Sequence, residues 1–552
     1  MPKLFTISGF SGVAPKIDPH MLGPSMAQNA VNCKFVGKTL SSWNESLAVR
    51  IGFIVNDVCT IYRFGRDTVS DTDYWFHWTT AVDVVKGSIA DDQLERTYFV
   101  HPTLGARFTY SNAALTSGSG DYPYNSYPLG IPAPSAFTAT LQIAGTGNQQ
   151  ELFYCRTYVT SLGNEGPPSD PTPAVTVGSS GFRVGLSGLG NTAPAGYAGF
   201  ITAQRIYRTL DGNSATAFQL VDEIPIAQST YSDNKLGTAL GEVIPSLTWL
   251  PPPSGITGMI QMSNGIMVLF KGYDVYPSEA YIPDAYPIAY SQPTDYPIVG
   301  GCALGNSAVI LTTGTPYLLT GTDPSAMTLD KLASTQACAS KRSIAAGFGG
   351  CIFASPDGLI FISPGGQETN LTAEFFSREE WQKLNPSSMH GYFWDGHYFG
   401  FYNNGNEKRG FIFTPSDGAG AFVWNDTWAS AGYVDLIQDA LFLKVDDPFF
   451  WGGTIVKWNA GSAKLTKTWK SAIYEMANLM NPACAQVLAN GYPQTVNFYG
   501  DEQLKFSKTV TSSDPFWLPS GYRVRYVEVE VIGDKDILAI HVATDIRSLR
   551  DA

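Results

Sequence analysis

The chain has 552 residues, of which 44% are hydrophobic, 13% aromatic and 15% charged, and its formal net charge is −13. This apolar share excludes a disordered chain, and an acidic protein without basic runs is unsuited to tight, sequence-independent binding of nucleic acid. With 55 glycines, 35 prolines and few helical patterns, the composition favours an all-β protein with many turns.

The cysteines are scattered and form no CxxC pair, so they predict buried, reduced thiols rather than a disulfide framework or a zinc site. They are Cys33, Cys59, Cys155, Cys302, Cys338, Cys351 and Cys484. Residues 1–10 lack the pattern of a secretory signal, and no apolar run is long enough to predict a membrane span. We therefore expect synthesis and folding in a reducing cytosol.

Residues 1–45 combine short apolar stretches with Pro15, Pro19 and Pro24, a pattern that predicts an extended N-terminal arm. Such a segment has little core of its own, so we expect it to reach a neighbouring subunit. Deletion of the arm would then leave a soluble monomer that fails to assemble.

Residues 46–133 predict the first part of a β-propeller and end in a Ser-, Gly-, Tyr- and Pro-rich linker at 111–135. Its predicted strands cover 51–55, 74–78, 82–85 and 97–100. Asp67, Asp71 and Asp73 lie in a turn between strands, and their spacing fits no established calcium loop.

Residues 134–250 predict an inserted antiparallel β-sandwich, because about seven short strands follow one another within this segment. The order of its motifs resembles fibronectin type III modules: Tyr154 and Tyr158, the EGPPS turn at 165–169, and RIYR at 205–208. The prolines at 251–253 mark the exit from this domain as a semi-rigid boundary.

Residues 251–461 contain the same short motif five times: a turn pair, an apolar strand, a second tight turn and another strand. The turn pairs begin at Asn264, Asn306, Gly349, Asp395 and Gln438. Repeats of roughly 40–45 residues with several short strands each are typical of β-propeller blades. The remaining blades are therefore predicted here, and the total number stays open because 46–133 has room for one to three more.

Helices are few, and residues 462–552 predict a C-terminal β-rich domain outside the repeat. The SREE sequence at 377–380 is a capping box that predicts a short helix through Leu384, and 470–479 is a second candidate helix. Long alternating strands at 522–532 and 537–542 need a sheet of their own.

No motif for catalysis, a cofactor or a metal stands out, so we predict no catalytic, cofactor-binding or metal-ligating residues and no enzyme. The six histidines (His20, His77, His101, His390, His397 and His541) lack HxH or HExxH spacing. His397 lies in an aromatic strand, which favours a core or interface role.

Propellers that cleave glycans need paired carboxylates. The candidates are Asp91-Asp92, Glu379-Glu380, Asp446-Asp447 and Asp501-Glu502, and adjacent acids in strands or turns usually point apart. The SPDGL turn at 355–359 is similar to a sialidase-type turn, but it lacks the spacer before Gly358 and is not repeated.

Several segments in order resemble the tail nozzle (tail tubular protein B-like) proteins of short-tailed bacteriophages. They are GF at 9–10, AQNAVN at 27–32, GKTL at 37–40, VVKGSIAD at 84–91, RTYF at 96–99, SEAY at 278–281, KRS at 341–343, SPDGL at 355–359 and LNPSS at 384–388. The inserted fibronectin-like segment departs from the simplest members of that family.

The resemblance implies a structural virion protein, made in the host cytoplasm, that forms a homohexameric ring at the distal end of the tail. Its partners would be the adaptor or portal-side ring, tail fibres or tip proteins, and genomic DNA passing through the channel without tight binding. An acidic channel would repel DNA phosphates. The alternatives are a propeller that binds or cleaves host-surface glycans, and a minor adhesin.

Overall fold

In the computed structural model nearly every regular element is a β-strand, as predicted. The structure describes residues 4–51, 57–65, 74–115, 123–210, 217–415, 420–447 and 452–550. The strands before residue 234 are β1 (Phe5–Ser8), β2 (Ala27–Val31), β3 (Cys33–Val36), β4 (Thr39–Ser42), β5 (Leu47–Ile51), β6 (Thr60–Arg63), β7 (Trp75–Trp78), β8 (Asp83–Lys86), β9 (Thr97–His101), β10 (Gly105–Thr109), β11 (Tyr127–Pro128), β12 (Thr138–Ile143), β13 (Thr146–Leu152), β14 (Tyr154–Thr160), β15 (Val175–Ser180), β16 (Arg183–Ser187), β17 (Ile201–Thr209), β18 (Phe218–Pro225) and β19 (Thr230–Asp233).

The later strands are β20 (Gly258–Gln261), β21 (Met267–Lys271), β22 (Asp274–Pro277), β23 (Gln292–Pro293), β24 (Ile298–Leu304), β25 (Ser307–Thr312), β26 (Tyr317–Thr320), β27 (Thr328–Lys331), β28 (Ala345–Gly347), β29 (Gly350–Ser355), β30 (Gly358–Ile362), β31 (Glu368–Asn370), β32 (His390–Trp394), β33 (His397–Asn403), β34 (Lys408–Thr414), β35 (Ala421–Asn425), β36 (Ala429–Asp435), β37 (Ala440–Val445), β38 (Thr454–Lys457), β39 (Lys467–Ser471), β40 (Tyr474–Met480), β41 (Cys484–Ala489), β42 (Gln494–Gly500), β43 (Gln503–Val510), β44 (Phe516–Trp517), β45 (Val524–Gly533) and β46 (Ile537–Ala543). The helices are α1 (Ser111–Leu115), α2 (Arg378–Lys383) and α3 (Arg547–Arg550). None of these described helices has the length and apolar character that crossing a membrane requires.

The chain divides into two compact units. Unit 1 comprises residues 1–81, 311–316 and 331–552, and unit 2 comprises 82–310 and 317–330. Each unit contains several small antiparallel sheets of the β-propeller blade type.

In unit 2 three four-stranded sheets are blades: β8–β11, β20–β23 and β24–β27. Strand β20 contacts both β8 and β24, so one strand of each sheet faces its neighbour. Apolar side chains fill the space between β20–β23 and β24–β27, among them Val268, Phe270, Ile310 and Leu319. This is the packing expected of blades that cannot bury both faces alone.

In unit 1 the blades are β28–β31, β32–β35 and β36–β38, and β5 adds the fourth strand to the last of these. Strands β6 and β7 form a further pair. Strand β32 contacts β28 and β36, and β36 also contacts β6. The Arg63 guanidinium on β6 reaches the Asp435 carboxylate on β36 at 2.7 Å, and both side chains are buried.

The five predicted repeats are confirmed, and each lies in a different sheet. The first turn of each repeat contains at least one residue with a left-handed backbone, namely Gly265, Gly305, Gly349, Gly396 and Asp439. Two turns are centred one residue earlier than predicted, on Gly305-Asn306 and Phe348-Gly349. Glycine and Asp are the residues that tolerate this conformation at least cost, which is why the repeat is visible in the sequence.

The N-terminal segment differs from the extended arm expected at 1–45, because its strands pair with other strands of the same chain. Strand β1 pairs with β46, and β2 lies between β35 and β39. Ile7, Phe10 and Trp43 are buried in the main core of unit 1. The sequence prediction failed because short strands broken by prolines give no sign of partners almost a whole chain away.

The segment approaches β35 very closely at Gly12. The Val13 amide donates to the Phe422 carbonyl at 2.9 Å, and a Cβ on Gly12 would lie 2.2 Å from that oxygen. A residue without a side chain is therefore required here.

The C-terminal strands do not form a sheet of their own, as had been expected. Strand β2 joins the β32–β35 blade to β39, β45, β42 and β43, and β40 also pairs with β45, in one ten-stranded sheet. The helix predicted at 470–479 is wrong, since β39 and β40 occupy that stretch. The predicted linker at 111–135 also differs from expectation, because α1 and β11 lie within it.

The helix predicted at 377–384 is confirmed with its capping box. The Glu380 amide donates to Ser377 Oγ, and the Ser377 amide donates to Glu380 Oε2. The Trp381 side chain of this helix is buried and donates through Nε1 to the Ser355 carbonyl at 2.8 Å.

Strands β12–β19 form three small sheets, ordered β12-β16-β19, β13-β15 and β14-β17-β18. Side chains from all three share one apolar core that includes Leu152, Val184, Ile206 and Val221. The segment predicted at 134–250 therefore has a core of its own. Its resemblance to fibronectin type III modules stays a prediction.

Glu165, in the EGPPS turn of this segment, is the acceptor at the centre of a buried polar network. Its Oε1 accepts from Thr157 Oγ1 at 2.7 Å and from Tyr207 Oη at 2.8 Å. Its Oε2 accepts from Arg205 Nη1 at 2.7 Å, and Arg205 Nε also binds the half-exposed Glu223 carboxylate at 2.8 Å. Burial and the adjacent Glu165 carboxylate raise the pKa of Tyr207.

A second buried carboxylate, Asp284, joins this segment to the neighbouring blade within unit 2. It accepts from Asn164 Nδ2 at 2.8 Å and from the Gly130 amide at 3.2 Å, while Tyr197 Oη donates to the Gly130 carbonyl at 2.7 Å. Burial raises the pKa of Asp284, although the Asn164 and Gly130 hydrogen bonds oppose the rise.

Candidate functional site

A cleft of about 280 Å³ opens in unit 1 where four blade sheets meet. Each sheet or its adjoining loop supplies part of the lining: Val58 and Cys59 before β6, Arg342 before β28, His390 at the start of β32, Lys408 at the start of β34, Trp428 and Ser430 around the start of β36, and Lys444 on β37. The site thus exists only when the repeats stack.

Arg342 ties the walls of this cleft together. Its Nη2 donates to the Cys59 carbonyl at 2.7 Å and to the Ser430 carbonyl at 2.5 Å. Ser430 Oγ in turn donates to the Val58 carbonyl at 2.8 Å. These bonds hold a permanent positive charge at a fixed place.

His390 is a neutral group at the floor of the cleft. The residue is only 1% exposed, and burial together with the nearby Arg342 charge lowers its pKa to about 3. Its Nε2 lies 2.8 Å from the Ala429 carbonyl. Because a carbonyl only accepts, the ring donates to Ala429, and it also has a backbone hydrogen bond at Ser388.

Two lysines complete the charge of the site. Lys444 is buried and its ammonium lies 2.9 Å from the exposed Asp446 carboxylate. The Lys408 ammonium lies 5.9 Å from the centre of the Trp428 ring. Trp428 also stands edge-on to His390, with ring centres 5.4 Å apart.

Two buried polar atoms of residues that line the cleft lack a hydrogen-bond partner in the described part of the chain. They are the Trp428 Nε1, which is a donor, and the His390 Nδ1. Buried polar groups are almost always paired in native proteins, so these two atoms are exceptions by strict hydrogen-bond geometry.

The adjacent carboxylates considered from the sequence are structural turn residues where the structure gives their partners. Asp92 accepts from Arg96 Nε at 2.8 Å and from two backbone amides. Asp501 accepts from the Arg525 and Tyr526 amides at 3.0 Å. Asp447 accepts from Thr454 Oγ1, and Glu380 caps α2.

The other residues considered from the sequence also make packing contacts or hydrogen bonds that stabilise the fold. His397 contacts Trp43 edge-on, and burial together with Lys34 lowers its pKa to about 4. The Asp357 of the SPDGL turn accepts from Gln336 at 3.0 Å and pairs with Arg378. Among the described residues no group of three or more metal-ligating side chains occurs, and Asp67, Asp71 and Asp73 lie outside that part of the chain.

The cysteines are free thiols, and all except the half-buried Cys59 are buried. Burial raises the pKa of Cys33, Cys155 and Cys338 to about 12, so these thiols stay protonated.

Sequence reasoning missed the cleft, although it named His390 and the KRS segment that contains Arg342. The lining residues lie more than 380 positions apart, from Cys59 to Lys444, and no single local motif brings them together. The only available signal was positional: most of them lie at the ends of blade strands, where loops of neighbouring repeats meet.

The fold thus belongs to the all-β class with β-propeller blades. No protein family matches the chain, and no curated protein matches it either. Solved structures that match over long stretches include BBS1N in complex with ARL6DN (8% identity, 77% of this chain and 99% of that one, TM-score 0.30). Others are the N-terminal domain of Nup159 (10% identity, 74% and 100%, TM-score 0.22) and the Neurospora crassa Pan2 WD40 domain (9% identity, 52% and 85%, TM-score 0.25). Likenesses this distant assign neither a family nor a function.

Proposed function

We propose that this chain is a structural virion protein, a subunit of the homohexameric nozzle ring at the distal end of a short bacteriophage tail. It docks on the adaptor ring, carries fibres or tip proteins at its periphery, and lets DNA leave through a central channel. Its role is mechanical and not enzymatic.

The observation that carries this proposal is the way the ends of the chain are woven into unit 1. The first described strand, β1, pairs with the last, β46, and β2 lies between strands from two other regions. Strand β5 closes the blade of β36–β38. A force that pulls these strands apart would therefore have to break hydrogen bonds in several sheets at once. This suits a part that must withstand internal pressure.

Two further features support the same role. Two of the segments that resemble tail nozzle proteins are KRS and SPDGL. KRS lies just before β28, and SPDGL forms the turn between β29 and β30. The net charge of −13 is the sign that lets DNA pass without adhering.

Sedimentation and electron microscopy of the purified chain test the proposal. Six copies of the 59.7 kDa chain give a closed ring of about 360 kDa. A ring of that mass with a central channel is expected, whether formed alone or on addition of the adaptor ring. A chain that stays monomeric in both conditions contradicts the proposal.

A further inference from the structure

We propose that Lys467 and Gln494 join in an intramolecular isopeptide bond, an amide between the lysine side-chain nitrogen and the glutamine side-chain carbonyl carbon. The bond ties strand β39 to strand β42 across β45, and all three strands lie in unit 1. This modification goes beyond the structural role proposed above and does not depend on it.

The two side chains are lateral neighbours across three adjacent strands. Lys467 on β39 lies opposite Gly533 on β45. On the other side of β45 the register pairs Thr495 with Ile532, so Gln494 lies beside Gly533 as well. Residues opposite one another share a face of the sheet, and the glycine between them has no side chain to separate them. A Cβ on Gly533 would lie 2.1 Å from Gln494 Oε1, so the glutamine amide covers this glycine.

The ends of the two side chains meet at one backbone oxygen. Lys467 Nζ and Gln494 Nε2 both donate to the Lys535 carbonyl, the glutamine nitrogen at 2.9 Å. Nζ also donates to the Gly533 carbonyl at 3.3 Å. Lys467 is 0% exposed and Gln494 is 1% exposed. The amine is therefore held beside the amide, and water is kept away from both.

Lys467 is buried without an ion-pair partner in the described part of the chain. The carboxylates that act on it, Asp536 and Asp534, are paired with Lys464 and Lys535 instead. Burial lowers the pKa of Lys467 to about 8, so much of it is a neutral amine in mildly alkaline solution. A neutral amine has two N–H groups, which match the two carbonyl acceptors, and a lone pair that can attack the amide carbon.

The reaction needs no other reactant. The Lys467 lone pair attacks Gln494 Cδ, the bond from Cδ to Nε2 breaks, and the proton lost by Nζ leaves with Nε2 as ammonia. Both nitrogens lie at the Lys535 carbonyl, so the proton has a short path. Fixed proximity of this kind replaces a collision in solution. Cys33, which also acts on Lys467, does not compete as a nucleophile, because burial raises the pKa of its thiol to about 12.

Mass spectrometry of the full-length protein tests this proposal, after incubation at about pH 9 or about pH 7. Formation of the bond lowers the intact mass by about 17 Da, the mass of ammonia. Tryptic digestion is expected to yield a branched peptide that joins Lys467 to Gln494. Because the pKa of Lys467 is about 8, protein without the bond should form it about tenfold faster at the higher pH. Absence of the branched peptide after prolonged incubation at the higher pH overturns the inference.

Variants locate the bond. Lys467→Met and Gln494→Met each remove one reacting group while keeping a long side chain, and both are expected to retain the full mass of their own sequences. Lys383→Met changes an exposed lysine on α2 and is the matched control, which loses ammonia as the unaltered chain does. A mass loss that persists in Lys467→Met refutes the assignment. So does a loss without a branched peptide, which succinimide formation at Asn490-Gly491 would produce.

Discussion

At the scale of single residues, Glu165 shows how a buried charge is tolerated in this chain. Its two oxygens receive three short hydrogen bonds, one of them from Arg205, so the carboxylate is paired on both sides. Removing such a group leaves its donors buried without an acceptor, which costs more than the bonds were worth.

We therefore expect Glu165→Ala to lower the free energy of unfolding by about 2–4 kcal/mol. Glu223→Ala removes the other, half-exposed partner of Arg205 and is expected to cost below about 1 kcal/mol. Urea unfolding followed by fluorescence measures both variants. Equal losses in the two would show that burial of Glu165 is not what makes it important.

His390 makes the stability of unit 1 depend on pH. Its pKa is about 3 in the folded protein against 6.5 for the free group, so below pH 6.5 the unfolded chain binds a proton that the folded chain does not. Its stabilising contribution is fully present above that pH and is lost as the pH falls, by up to about 1.4 kcal/mol per pH unit.

His390→Gln should therefore flatten the pH dependence of the free energy of unfolding between pH 6.5 and 4. His397, whose pKa is lowered to about 4, continues to contribute in the same direction. His20→Gln changes an exposed side chain and serves as the control. An unchanged slope in His390→Gln would mean that this histidine is not neutral in the folded protein.

At the scale of elements, the contact of the N-terminal segment with β35 leaves no room for a side chain. Gly12→Ala would press a methyl group against the Phe422 backbone, and we expect a loss of more than about 2 kcal/mol in stability. Gly365→Ala meets only a Ser363 Oγ at 3.9 Å and is the matched control. Thermal unfolding of the two variants distinguishes a docked segment from a free one, since a free arm tolerates both changes equally.

The blades could be predicted from sequence because their defining features are local. A glycine or Asp with a left-handed backbone, followed by an apolar strand, recurs at each repeat, and the capping box of α2 is equally local. The partner of a strand is not local: nothing in the five residues of β2 indicates that β35 and β39 flank it. The stretch at 470–479 was mistaken for a helix because backbone pairing with β45 decided its conformation, not its intrinsic preference.

The candidate site could not be predicted from the sequence for the same reason. His390, Trp428 and Lys408 come from different strands and loops, and each looks like an ordinary core or surface residue. Only their convergence in space gives them a joint chemistry.

At the scale of the whole molecule, the segment at 134–250 has the properties of an independent module. Its core joins side chains from all three of its sheets, and its main buried carboxylate, Glu165, finds its donors within the segment. We expect the isolated fragment 134–250 to fold cooperatively and to give a dispersed amide spectrum by nuclear magnetic resonance. A collapsed, poorly dispersed spectrum would show that the module depends on contacts such as Asn164 with Asp284.

The pairing of β1 with β46 also sets an order for biosynthesis. Thr6 and His541 touch across the sheet although they are 535 positions apart. Translation is directional, so the ribosome finishes the continuous stretch from 82 to 310 long before it makes the strand that β1 needs. During that interval β1–β4 expose unsatisfied strand edges, which are the parts of a nascent polypeptide most prone to mispairing. Unit 1 is therefore the part of the protein whose maturation has to wait until β46 has been made.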